Sequence, residues 1–340
     1  MFKVYAAIDQ SLPPTQVAAF AQRAEKLGYT GLNVPDAVHE GLTLATLALI
    51  ATTRLKVATG VLVAFPRSPM MVAQAAWDLQ AVSCGRFELG LGTQVKGNII
   101  GRYSATWSPP VPRMREYVLS LRKIFSAFQY GTELNFSGEH YQFTRLQPFF
   151  NPGPIEFPEI PIFLGAVGPA MTTLVGSVAD GLMAHPTNTS PRYIREVIQP
   201  RLLHGAEKSS RSSTDIKLML GSLVATGPTD EIVEQRLEKQ RQLLAFLYST
   251  PAYWPSLELY GWEGIGHQLH DLSKSGGWGK MAGLITNQIL EEFVAIGTYQ
   301  NIAEVLEQRY AGISDWITFP IPEDSSEDEQ AREVIDSLQG

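Results

Sequence analysis

The feature of this sequence that most constrains its fold is a regular alternation of two kinds of segment. Short runs rich in β-branched residues recur along the chain, and longer segments with apolar residues at helical spacing separate them. This alternation predicts βα units and a parallel sheet, because parallel strands must be joined by crossover connections. Eight candidate strands follow: Lys3–Ile8, Gly31–Val34, Lys56–Val63, Arg86–Leu91, Pro161–Ala166, Gly181–His185, Ile216–Thr226 and Asp315–Pro320.

Several helix starts carry a capping residue followed by proline. Ser68 precedes Pro69 and Ser190 precedes Pro191, a pairing typical of the N-cap and the first helical position. Thr229 is predicted to cap a long helix that ends near Tyr248. Each candidate strand is thus predicted to precede a helix.

Eight βα units in a row predict an α/β fold of the (β/α)8 TIM-barrel type. Such a barrel needs about 250 residues, and the chain has 340. We expect one domain spanning 1–340, with insertions around 94–112, 131–160 and 249–297. A doubly wound open sheet is the alternative, because periodicity alone does not show that a sheet closes.

Composition and charge narrow the class of partner. With 27 Lys and Arg against 34 Asp and Glu, the net charge of −7 disfavours binding to nucleic acid. The single cysteine, Cys84, excludes an internal disulfide and a zinc site of several thiolates. Asp9 and Pro13–Pro14 interrupt any signal-peptide core, and the apolar run Leu42–Ala51 is too short for a bilayer span. We expect a cytoplasmic protein with a small-molecule substrate and no membrane partner.

The active site of such a barrel lies at the carboxyl ends of its strands. Few polar side chains stand there, among them Asp9 after the first strand, Asp36 and His39 after the second, the neutral Gln94 after the fourth, and His185 at the end of the sixth. The sequence has no nucleophile elbow, Walker loop or GxGxxG, and no spacing that predicts a metal site. A site with so little acid–base equipment suits a cofactor that supplies the difficult chemistry.

The turn Val167–Gly168–Pro169 follows the fifth strand and opens a helix. The first N–H groups of a helix lack intrahelical acceptors, so this turn is a candidate phosphate site. A left-handed glycine turn without a ligand explains the same residues equally well.

Three blocks of sequence resemble the bacterial-luciferase-like superfamily of flavin and deazaflavin enzymes. They are GYTGLNVPDAVHE after the first helix, the segment 59–94 that begins TGVLVAFPRSP, and GAVGPAMTTLVGSVADGLMAHP at 165–186. The blocks occur in barrel order. The resemblance is strongest to the branch that uses coenzyme F420, which includes methylenetetrahydromethanopterin reductase and F420-dependent alcohol and glucose-6-phosphate dehydrogenases.

The resemblance implies roles for particular residues. Gly60 and Val61 match a bulge, often with a non-proline cis peptide, that lies against the central ring of the cofactor. Gly92 and Thr93 match the strand end beside the cofactor, and Val167–Gly168–Pro169 match the phosphate-binding turn. The resemblance also implies a homodimer.

The chain departs from the family pattern at two positions. Several F420-dependent members carry Asp–His after the second strand, where this chain has Asp36–Ala37. Either His39 takes the role of acid or base from one turn further on, or the site has none. Gln94 stands near the position where many relatives have an acid, and it cannot donate a proton at neutral pH.

The resulting prediction is an F420-dependent oxidoreductase that moves a hydride between deazaflavin C5 and a small organic substrate. An FMN-dependent monooxygenase using O2 and a non-catalytic flavin-binding barrel are the alternatives. We expect catalytic roles for Asp36 and His39. The expected cofactor-binding residues are Gly60, Val61, Gly92, Thr93, Gln94, Val167, Gly168, Pro169 and His185.

Two clusters of side chains have both a functional and a structural explanation. Lys96, Arg102, Arg113 and Arg115 would meet the anionic tail of F420, or they are solvated surface charges. The aromatic residues of 249–297, among them Tyr253 and Trp254, would roof a pocket, or they pack the insertion.

Overall fold

The computed structural model describes residues 1–340, and its main feature is a closed barrel of parallel strands. Its strands are Lys3–Ala7 (β1), Gly31–Val34 (β2), Lys56–Thr59 (β3), Leu62–Val63 (β4), Phe87–Gly92 (β5), Phe136–Ser137 (β6), Gln142–Phe143 (β7), Ile162–Ala166 (β8), Gly181–Ala184 (β9), Lys217–Leu220 (β10), Leu223–Ala225 (β11), Val294–Ile296 (β12) and Trp316–Thr318 (β13).

The barrel closes through one pairing that an open sheet in the same strand order would lack, between β13 and β1. The strands pair in the order β1, β2, β3, β5, β8, β9, β10, β13, and β13 pairs again with β1. Strand β4 extends β3 beyond Gly60–Val61 and pairs with β5. Every pair in the ring is parallel. The predicted (β/α)8 barrel is confirmed, and the doubly wound alternative is wrong.

The helices surround the barrel, and none of them is both long and apolar enough to cross a membrane. They are Pro14–Lys26 (α1), Gly41–Ala51 (α2), Pro69–Val82 (α3), Lys96–Gly101 (α4), Pro110–Tyr130 (α5), Pro169–Val178 (α6), Pro191–Tyr193 (α7), Gln199–Lys208 (α8), Asp230–Tyr248 (α9), Pro255–Leu259 (α10), Glu263–Lys274 (α11), Trp278–Met281 (α12), Asn287–Phe293 (α13), Ile302–Tyr310 (α14) and Asp328–Gln339 (α15).

The predicted seventh strand, Ile216–Thr226, breaks into two. Strand β10 stays in the barrel, whereas β11 bends away after Gly221 and pairs in parallel with β12, a strand that the sequence did not predict. Ser222 preserves the barrel at the bend, because its hydroxyl donates to the carbonyl of Thr318 at 2.8 Å and accepts from the Thr318 amide at 3.1 Å. Hydrophobicity did not reveal the break, because both halves of the run are buried.

Residues 223–296, here called the excursion, have a hydrophobic core of their own. Tyr248 of α9 and Phe293 of α13 are fully buried in this second cluster. The helix predicted to follow the seventh strand on the barrel, α9, therefore packs in the excursion. Helix α14, which was not predicted, contributes Ile302 and Leu306 to the main core instead.

The interior of the barrel is filled at its centre and open at one end. Large side chains fill the middle, with Tyr5 stacked on Trp316 at 5.2 Å and Phe163 tilted against the same indole. Five of the next inward-facing positions towards the carboxyl ends are small: Ala7, Gly60, Gly92, Gly165 and Gly221. Because these residues leave the space unfilled, a bowl forms at the carboxyl ends of the strands, which we call the mouth.

Candidate active site

The floor of the mouth is built around the Gly60–Val61 peptide, which is cis. The Gly60 amide donates to the carbonyl of Val34 at 2.7 Å. The side chain of Val61 lies over two glycines of neighbouring strands. A Cβ on Gly92 would stand 2.4 Å from Val61 Cγ2, and one on Gly165 would stand 3.2 Å from Val61 Cγ1. Gly92 is thus required for Val61 to lie flat across the floor.

Asn33 stands beside this floor and was missed at the sequence level. Its Cβ lies 3.4 Å from the position a Cβ on Gly60 would take, and its Oδ1 is buried without a hydrogen-bond donor. Buried polar atoms are rarely left unpaired in a folded protein, so a donor from a bound molecule would satisfy this one. The signal in the sequence was a polar residue on the inward face of the second strand, GLNV.

The Val167–Gly168–Pro169 turn has the geometry of an open helix start. Gly168 has φ −85° and is the N-cap of α6, and no side chain caps the helix. The alternative of a left-handed turn is therefore wrong, and the backbone does not require glycine here. A Cβ on Gly168 would meet no atom within 4 Å. The first N–H groups of α6 thus have no side-chain cap, and Gly168 leaves space beside the helix start, an arrangement suited to binding an anion.

Asp36 is held by four hydrogen bonds, two on each carboxylate oxygen. Oδ2 accepts from Arg67 Nη1 at 2.8 Å and from the Val63 amide at 2.9 Å, and Oδ1 accepts from Arg67 Nη2 at 3.2 Å and from the Gly41 amide at 3.0 Å. The Asp36 side chain is 5% exposed. A carboxylate has about four acceptor positions, so none remains for a substrate. This geometry assigns Asp36 to positioning the loops after β2 and β4.

His39 and Gln94, the other two candidate site residues on these loops, differ in how much of the side chain is free to bind a ligand. His39 is half-buried on the loop after β2, and its ring remains the candidate acid or base. Gln94 has φ +58°, and its Oε1 accepts from the Val95 amide at 2.9 Å and from Asn98 Nδ2 at 3.2 Å. The Gln94 side-chain carbonyl is therefore bonded within its own loop, and only its NH2 group is left for a ligand. Thr93 is half-buried beside it.

His185 lies at the mouth, at the end of β9, and it is two positions beyond inward-facing Met183. Its Nδ1 lies 2.9 Å from Thr187 Oγ1, and its ring stacks on Tyr253 of the excursion at 4.3 Å with an angle of 5° between the planes. Burial lowers the pKa of His185 from 6.5 to about 4. His185 is therefore neutral at pH 7.

The lowered pKa of His185 predicts a loss of stability in acid. The unfolded chain binds a proton below pH 6.5 while the folded protein resists it until about pH 4. The free energy of unfolding is expected to fall across this window by up to about 3 kcal/mol. Urea unfolding at a series of pH values measures it. His185→Phe, which retains an aromatic ring against Tyr253, should flatten the curve. A wild-type curve that is identical to that of the variant would contradict the assignment.

Two of the four cationic side chains predicted to meet the tail of F420, Arg102 and Arg113, make hydrogen bonds within the protein. Arg113 donates to Tyr141 Oη at 2.9 Å and to the carbonyls of Thr106 and Phe65 at 2.8 and 3.0 Å. Arg102 donates to the carbonyl of Ala37. Lys96 and Arg115 are exposed. Only these last two remain candidates for an anionic tail.

Comparison with known proteins shows the family of the chain. The family model described as luciferase-like monooxygenase matches residues 1–315. The chain belongs to the luciferase-like monooxygenase family. An uncharacterized protein of Mycobacterium tuberculosis is 41% identical over 311 residues, 91% of each chain. The 5,10-methylenetetrahydromethanopterin reductase of Archaeoglobus fulgidus is 26% identical over 332 residues, 94% of each chain.

A solved structure of a luciferase-like fold superimposes on nearly the whole chain. It is the coenzyme F420-dependent tetrahydromethanopterin reductase of Methanopyrus kandleri, with a TM-score of 0.81, 18% identity and coverage of 99% of this chain and 98% of that one. At this identity the match shows the fold alone. The family model and the sequence relatives confirm the resemblance of the sequence to the luciferase-like superfamily.

Proposed function

We propose that this luciferase-like protein binds the deazaflavin coenzyme F420 and transfers a hydride between its C5 and a small organic substrate. The observation that carries the proposal is the pairing of two features at the mouth. The glycine-lined floor under Val61 leaves room for a flat ring, and the uncapped start of α6 at Gly168 offers a phosphate site. Relatives named as F420-dependent or methanopterin reductases support the choice of coenzyme.

The residues of this chain act mainly by positioning. Val61 would support one face of the ring, Asn33 Oδ1 would accept a hydrogen bond from it, and the α6 amides would bind the phosphate. When bound, the coenzyme supplies the hydride chemistry at C5. His39 is the candidate to hold or release a proton at the substrate. Lys96 and Arg115 would meet the anionic tail.

An FMN-dependent monooxygenase remains the second candidate. It is favoured by the family description, luciferase-like monooxygenase. FMN has the same phosphate-bearing stem, so the Gly168 turn does not separate the two coenzymes. A barrel that binds a flavin without turnover is the third.

A binding experiment tests the proposal. Quenching of fluorescence on titration with F420 and, separately, with FMN should show tight binding of F420 and weak binding of FMN. Gly168→Ala should weaken F420 about tenfold without loss of stability, because the added Cβ meets no protein atom and narrows only the approach of the phosphate. Preferential FMN binding moves the protein to the second candidate, and binding of neither coenzyme contradicts both.

The matched control is Gly264→Ala. This glycine lies in α11 of the excursion, and its added Cβ would also meet nothing within 4 Å. The control should leave F420 affinity unchanged. If both variants weaken binding equally, the phosphate site is not at Gly168.

We also propose that the protein works in the cytoplasm as a homodimer. Helix α2, GLTLATLALIA, is apolar on all sides although it lies on the outside of the barrel, and Ile50 is 63% exposed. Met71 and Val82 of α3 are 68% and 63% exposed. A second copy would cover this apolar surface.

A further inference from the structure

We propose that the stacked pair His185–Tyr253 binds the substrate and selects molecules whose recognised group is an uncharged, hydrogen-bonding oxygen. This inference rests on the proposed function, because it takes the mouth as the substrate site. It adds His185 and Tyr253 as residues that form one wall of the mouth, Tyr253 being part of the excursion. It also names a substrate class.

The pair presents two free polar tips at the mouth. Nδ1 of His185 is tied to Thr187, whereas Nε2 has no hydrogen bond within the protein and is not enclosed. The Tyr253 hydroxyl likewise has neither a protein partner nor an enclosing wall. Both atoms are therefore free to bind a ligand. A carbonyl or hydroxyl oxygen is a group that such atoms bind.

Side chains of the excursion contact the loop that carries His185 and hold it in position. Residues Thr187 to Ser190 are at most 1% exposed. The Tyr248 hydroxyl donates to the Thr187 carbonyl at 3.3 Å, and the Tyr260 hydroxyl oxygen lies 3.0 Å from Ser190 Oγ. The pair is therefore held on both sides, as a binding wall must be to discriminate between ligands.

Four arginines around the mouth already have partners within the protein. Arg67 pairs with Asp36 and Glu40, Arg102 and Arg113 donate to backbone carbonyls, and Arg192 pairs with Glu196. His185 itself is neutral because burial lowers its pKa to about 4. A carboxylate or phosphate placed against the pair would lose hydration and meet no positive charge on His185 or Tyr253, which is costly.

The test compares two probes of similar shape and different charge. Acetophenone and benzoate are titrated into the F420-loaded protein and into the free protein. The absorbance of the coenzyme reports binding in the first case. The ¹⁵N resonance of His185 Nε2, assigned with His185→Phe, reports it in both. Acetophenone should shift the His185 signal and bind at least about tenfold more tightly than benzoate.

Variants of Tyr253 locate the binding wall. Tyr253→Ala should weaken acetophenone about tenfold and Tyr253→Phe by a smaller factor, because the second variant retains the ring. Trp278→Ala, a large exposed aromatic elsewhere in the excursion, is the control and should change neither probe. Melting temperatures confirm that each variant is folded.

The outcomes separate this inference from the proposed function. If F420 fails to bind but acetophenone still shifts the His185 signal, the proposed function fails and substrate binding by His185 and Tyr253 is supported. If F420 binds and benzoate matches or exceeds acetophenone, the selection of uncharged substrates is overturned. A His185 signal that responds to neither probe also overturns it, as does Tyr253→Ala binding acetophenone like the wild type.

Discussion

Asp36→Ala is expected to lower the free energy of unfolding by about 3 to 5 kcal/mol, the usual cost of removing one partner of a buried ion pair. The Arg67 guanidinium, whose side chain is only 20% exposed, would lose its bidentate partner, and the amides of Val63 and Gly41 would lose their acceptor. Urea unfolding at pH 7 without coenzyme measures the change.

The same loop supplies the control for Asp36. His39 is half-buried and takes no part in the Arg67 network. His39→Ala should therefore change stability by no more than about 0.5 kcal/mol. If Asp36→Ala is as stable as the wild type and loses only activity, Asp36 acts on the substrate and the positioning role is wrong.

Gly205→Ala is expected to lower the free energy of unfolding by about 3 kcal/mol, at the upper end of the usual cost of overpacking. A Cβ on Gly205 would stand 2.0 Å from the carbonyl oxygen of Thr173, a backbone atom of α6 that cannot rotate away. The approach is reciprocal, because a Cβ on Gly176 would stand 2.2 Å from the carbonyl oxygen of Leu202. Helices α6 and α8 can pack this closely only because both positions are glycine.

This contact also supports the candidate phosphate site, because α6 begins at Gly168. Gly205→Ala, which would move α6 outward, should weaken F420 binding and also lower the free energy of unfolding. Gly168→Ala should weaken F420 binding alone. Gly264→Ala again serves as control and should be neutral or slightly stabilising, since alanine is the better helix former. Gly205→Ala with wild-type stability would show that α6 and α8 are not in backbone contact.

The fold class and most strand positions could be predicted from local patterns in the sequence. Alternating β-branched runs and helical periods are local properties, and the eight predicted strands agree with the barrel to within a few residues, apart from the seventh. Cap-then-proline signals placed the starts of α3 and α7 at Pro69 and Pro191. The family resemblance supplied Gly60–Val61, whose peptide is cis in the structure.

Only the tertiary structure decided how the site is assembled. Arg67 occupies acceptor positions of the Asp36 carboxylate. Thr318 bonds Ser222 at the break in the seventh strand. Tyr253 stacks on His185 to form the wall of the mouth. Each of these pairs joins segments that are far apart in the chain, and neither member carries a local signal for the other. Periodicity indicates which face of an element is buried, but the partner across the barrel is set by closure and packing in three dimensions.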